Sequence, residues 1–94
     1  DFFHPHPYPP IFIPHLFMKK VSLIHMKENK KGRVWEISGG SSLQHKMMSM
    51  GIYPGREIIK LSHFALRGPV TIRVGRSLLA LGHGMAGKII LETE

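Results

Sequence analysis

Apolar and polar positions alternate over short stretches of this chain, with turn residues between them. Val70, Ile72 and Val74 alternate with Thr71 and Arg73, which is the two-residue period of a strand buried on one face. Arg33–Ile37 and Glu57–Leu61 are rich in β-branched and aromatic or aliphatic residues and read as strands, as do Ser77–Leu81 and Lys88–Glu92. Ser22–Met26 is a brief apolar start, followed by the charged turn Lys27–Gly32. Leu66–Pro69 and Gly75-Arg76 separate the later strands, and Gly82–Gly87 is a glycine-rich corner expected to need unusual backbone angles. One segment has the helical period. Over Ser41–Met50, Leu43, Met47 and Met50 fall on one face. Ser41 and Gln44 have the spacing of a capping box. Gly51 stands where a left-handed glycine ends a helix, Ile52 is placed to close back on Met47, and Pro54-Gly55 forbids continuation. Five or so short strands and one helix predict a small closed barrel or sandwich.

Composition changes this picture at one end. Residues 1–17 hold five of the seven prolines, four of the five phenylalanines and three of the seven histidines. Such proline density forbids regular helix and predicts an extended arm. The reading places the natural start at Met18 and treats residues 1–17 as a Pro/Phe/His-rich extension of a domain over residues 18–94. The arm lacks the unbroken apolar run of a secretory signal, and nothing approaches the ~20 apolar residues of a membrane span. Cysteine is absent, which removes disulfides, thiolate metal sites and cysteine nucleophiles. Across 94 residues, thirteen Lys and Arg against six Asp and Glu give a net charge of +7. That charge suits an acidic protein partner, nucleic acid or an anionic surface.

Several motifs occur in a familiar order. Gly32-Arg33-Val34, Ile37 and Gly39-Gly40 precede Leu43 and Lys46-Met47. Met50-Gly51-Ile52-Tyr53-Pro54-Gly55 and Ile58 follow, then Gly68-Pro69-Val70, Val74-Gly75, Leu79-Ala80-Leu81, Ala86, Ile89 and Leu91. This set resembles the ferrous iron transport protein A (FeoA) family and the SH3-like C-terminal domain of iron-dependent repressors. It departs from the family pattern where Asn29 replaces a common glycine, where Met47 follows Lys46 in place of leucine, and around Leu81-Gly82 and Met85-Ala86. The resemblance implies a mainly β fold: a small SH3-like β-barrel of about five strands with one inserted helix near Ser41–Met50. It also implies a cytoplasmic accessory protein of ferrous iron uptake. Such a protein docks at the inner face of the membrane on a transporter that carries a GTPase domain.

No catalytic set is legible. The glutamates Glu28, Glu36, Glu57, Glu92 and Glu94 show no pairing suited to acid–base work, no triad is formed around the serines, and Gly82–Gly87 lacks the Lys-Ser/Thr ending of a phosphate loop. The expectation is therefore a non-enzymatic protein with no required cofactor. The best partner-binding candidates are Lys46, Met48, Ile52, Tyr53 and Pro54, where a helix and a turn combine an aromatic ring with flexible apolar side chains. Gly51, Gly55 and Gly75 are expected as structural turns. His45, His63 and His83 are weak candidates for a divalent transition metal, Fe or Zn, because none has helical ligand spacing and they must converge in space. Homo-oligomers are expected from free strand edges. Two alternatives compete: a nucleic-acid-binding small barrel stacking bases on Trp35, Tyr53 and Phe64, and an SH3-like regulatory module of a metal-dependent repressor. Nucleic acid is disfavoured because these aromatics are not interleaved with the basic residues.

Overall fold

The computed structural model describes residues 18–64 and 67–94; the N-terminal arm and the first residue of the expected turn at 66–69 lie outside them. Six strands form one antiparallel sheet: β1 (Lys19–Ser22), β2 (Lys31–Ile37), β3 (Glu57–His63), β4 (Val70–Val74), β5 (Ser77–Leu81) and β6 (Ile89–Thr93). Two helices interrupt them, α1 (Ser41–Ser49) between β2 and β3 and α2 (His83–Ala86) between β5 and β6. The strand order is β1-β6-β2-β3-β4-β5, so β6 returns across the molecule to lie between β1 and β2. β1 and β5 are the two edges, and no ladder joins them among the described residues.

The inner face carries the core. Val34 and Ile37 of β2, Ile58 of β3, Val70, Ile72 and Val74 of β4, Leu81 of β5, and Ile89 and Leu91 of β6 are buried together. Alternation is cleanest in β4, where Val70, Ile72 and Val74 are buried and Thr71 and Arg73 are not. In β2 the register shifts between Val34 and Glu36, a β-bulge that leaves Trp35 outside the ladder and aims its ring outward. Gly32 lies tight against β6, where an added Cβ would come within 3.2 Å of the Leu91 side chain and the Glu92 carbonyl.

Helix α1 is seated by both of its ends. Met47 is buried, with Leu43 and Met50 packed against the core. At the C-terminus Gly51 has φ 87°, its N–H donates to Met48 O at 2.9 Å and the Ile52 N–H donates to Met47 O at 2.9 Å. That pair of bonds is a Schellman motif, and Ile52 and Met47 are both fully buried. The expected capping box does not form. Gly40 is the N-cap, Ser41 is already helical, and no side chain caps the helix. Gln44 instead reaches back to donate to the carbonyls of Gly39 and Ile37, at 3.2 and 3.3 Å.

Three further expectations change. There are six strands, because Lys19–Ser22 pairs with β6 ahead of the apolar start. Ser22–Met26 is a turn, with His25 and Met26 N–H groups both donating to Ser22 O, and it drops Leu23 and Met26 into the core. The glycine-rich corner is the one-turn helix α2, and none of Gly82, Gly84 and Gly87 has positive φ. The physical need there is closeness: a Cβ on Gly87 would stand 3.0 Å from Ile24 Cδ1.

Candidate functional site

The C-terminal end of α1, the 52–56 turn and the β4–β5 hairpin meet at one end of the molecule. Gly51 packs beside Val74, and the Arg56 side chain passes over Gly75 so closely that a Cβ there would lie 2.5 Å from its Nη2. Gly75 has φ 61° and Gly55 has φ 95°, conformations that a residue with a Cβ adopts at a penalty. Arg56 donates to Tyr53 Oη at 2.9 Å, and its guanidinium carbon sits 5.6 Å from the Tyr53 ring centre. The half-buried Tyr53 ring is therefore held in place by a cation, with Pro54 exposed beside it. On α1, Lys46 is exposed and Met48 is 56% exposed. These residues present a flexible apolar side chain, a braced aromatic ring and cationic groups, and the hairpin adds exposed Arg73 and Arg76.

Ile52 does not belong to this surface. It is fully buried in the core, because the Schellman turn folds it back under Met47, and its contribution is to fix the turn that carries Tyr53. Arg56 is the residue that sequence reading missed. Its only local signal is its spacing, three residues after Tyr53.

Several polar groups elsewhere are tied into the scaffold. Lys60 is 1% exposed and its ammonium donates to Ile24 O at 2.9 Å and Met26 O at 2.6 Å. Burial pushes its pKa below the ordinary 10.5, while the Glu28 carboxylate pulls the other way. Glu28 accepts a hydrogen bond from the His63 N–H at 3.0 Å, and Glu57 lies 4.0 Å from Lys31 on the exposed face of the β2–β3 pair. Lys20 sits over the Trp35 ring at 4.2 Å. An open cleft of about 350 Å³ between β2 and the end of β6 is lined by Lys30, Lys31 and Arg33 together with Glu57, Glu92 and Glu94, so its charges balance.

Of the three candidate metal-binding histidines, the fold brings two together. The rings of His63 and His83 lie 6.0 Å apart. His45 is exposed on α1 and is not part of that pair. Among the described residues no three His, Asp or Glu side chains converge on one point. No described helix is long and apolar enough to cross a membrane.

A family model described as the FeoA domain matches residues 21–93. The chain belongs to the FeoA domain family. A crystal structure described as an iron uptake regulatory protein (FeoA) is 37% identical, with a TM-score of 0.70 over 78% of this chain and 95% of that one. A FeoA-like protein from Clostridium acetobutylicum is 28% identical, with a TM-score of 0.70 over 80% of this chain and 87% of that one. A manganese-dependent transcriptional repressor is 18% identical, with a TM-score of 0.73 over 96% of this chain and 48% of its own length. That last likeness is one of fold alone and relates this FeoA domain to the SH3-like module of a longer protein. No curated protein matches the sequence. Membership ties the chain to ferrous iron uptake in an accessory capacity.

Proposed function

We propose that this FeoA domain is a non-enzymatic, cytoplasmic accessory protein that docks on the GTPase part of a membrane ferrous iron transporter and modulates transport. The observation that carries the reading is the braced end described above: Met48 exposed on α1, Tyr53 held by Arg56, and Lys46 and Pro54 beside them. Exposed Met and aromatic groups are the side chains enriched at protein interfaces. The surrounding positive charge favours an acidic partner surface, raising the association rate and specificity more than affinity. The tying of Lys60 and Glu28 into structural contacts supports a role without chemistry.

The test is a calorimetric titration of the full chain against the purified GTPase domain of the ferrous iron transporter from the same genome. Saturable binding is expected. Met48→Asp should weaken it by roughly tenfold or more, on the hot-spot scale of about 1.4 kcal/mol or above. Lys27→Glu, on the distant β1–β2 loop, should leave it within about twofold. Absence of binding by the native chain, or equal affinity of Met48→Asp, would refute the docking surface.

A further inference from the structure

His63 ends β3, and its backbone is pinned on both sides. Its N–H donates to the Glu28 carboxylate at 3.0 Å, and it stands in register with Val70 of β4. His83 opens α2 directly after Gly82, and its carbonyl accepts the Gly87 N–H at 3.0 Å. Twenty residues apart in sequence, the two imidazoles lie 6.0 Å apart between ring centres, with their planes inclined by 35°. Each keeps one nitrogen away from solvent with no hydrogen-bond partner among the described residues: Nε2 of His63 and Nδ1 of His83. A buried polar atom left unpaired is destabilising.

We propose that His63 and His83 form a two-histidine site for one divalent first-row transition ion, bound through His63 Nε2 and His83 Nδ1. A metal–imidazole bond of about 2.1 Å places the ring centre roughly 3.2 Å from the ion, so two rings span about 5.2 Å at a tetrahedral angle and up to about 6.4 Å when opposed. The observed 6.0 Å lies within that reach. Neutral imidazole is a borderline ligand suited to iron(II), zinc, nickel and copper, whereas calcium and magnesium need oxygen donors. The Glu28 carboxylate, one hydrogen bond from His63, offsets the repulsion that a dication meets on a chain of charge +7. With two protein ligands the remaining coordination positions belong to water. His45, exposed on α1, takes no part. This site does not depend on docking to a transporter, and its test reads the ion alone.

The experiment titrates zinc chloride into the full chain while following imidazole ring signals by NMR. His4, His6 and His15 are first changed to Gln so that the arm adds no background. The ring signals of His63 and His83 should move together and saturate at one zinc per chain, while those of His25 and His45 stay still. H83Q, in the short surface helix, should weaken saturation by roughly tenfold or more and release the His63 ring from it, a loss at least as large as that for a partner outside the coordination shell. H63Q should do the same to His83, and H45Q should change nothing. Rings that titrate independently, a site that survives H83Q, or a saturable shift centred on His45 would overturn the proposal. So would a pair that responds to pH but not to zinc.

Discussion

Replacing Lys60 by methionine removes the charge while keeping most of the side chain's length. Lys60 is 1% exposed, and its ammonium is the donor to both Ile24 O and Met26 O. Those carbonyls belong to the turn that carries Leu23 and Met26 into the core. Leaving a buried acceptor unpaired costs about 1–3 kcal/mol, and two are involved. The methionine recovers part of this, since it buries without desolvating a cation. A net loss of about 2–4 kcal/mol is expected, equivalent to a fall in Tm of roughly 10–20 °C for a domain of this size. A pH signature distinguishes this mechanism from simple repacking. In the folded chain burial holds the Lys60 pKa below its unfolded value near 10.5. Between those two values the unfolded chain binds more protons, so this group's contribution to stability rises with pH in that window and is flat well below it. Urea denaturation of the native chain and Lys60→Met, repeated from pH 7 to pH 10, measures both effects. The advantage of the native chain should widen as pH climbs through the alkaline range. A destabilisation under about 0.5 kcal/mol, or an advantage that narrows with rising pH, would refute the role assigned to Lys60.

Other consequences are as direct. Asn29 has φ 65°, so Asn29→Gly should be neutral within about 0.5 kcal/mol while Asn29→Ala should lose roughly 1 kcal/mol, both readable by urea denaturation. Gly75→Ala places a Cβ at φ 61° and 2.5 Å from Arg56 Nη2. It should lose about 1–2 kcal/mol and change the Tyr53 ring environment in near-ultraviolet circular dichroism. Ile72→Ala, at a fully buried position, should lose about 2–5 kcal/mol, whereas Leu78→Ala on the exposed face of β5 should stay within about 0.5 kcal/mol.

Much of the fold was legible because it is set by neighbours in sequence. The two-residue period of Val70–Val74 gave the bounds and the buried face of β4. The order Met47, Met50, Gly51, Ile52 carries a complete helix stop, since its hydrogen bonds span only five residues. Asn29, in the charged turn Lys27–Gly32, takes the left-handed conformation that asparagine tolerates better than most residues. β1 was hidden for the opposite reason. Lys19 and Lys20 are an exposed edge with no apolar period, and what makes them a strand is the ladder to Glu92 and Thr93. Ile52 looked available to a partner because it lies in a turn, yet a Schellman motif turns that residue inward. Lys60 is the one basic residue in the otherwise largely apolar run Glu57–Leu61. Two residues after the buried Ile58, it falls on the inner face of β3, where two carbonyls of the Ser22–Met26 turn receive it.

The same division runs through the functional residues. Periodicity, glycine positions and charge, which act within a few residues, determined that this chain is a small mainly β domain with one seated helix and a basic surface. Their energies depend on local geometry and survive without knowledge of the rest of the chain. Which polar groups meet was decided only when β6 inserted between β1 and β2 and α2 closed against the Ile24 turn. Lys60 beneath the Ser22–Met26 turn and His83 beside His63 are products of that arrangement. Contacts between residues twenty or more apart depend on strand order and register, and no local pattern encodes the distance between them.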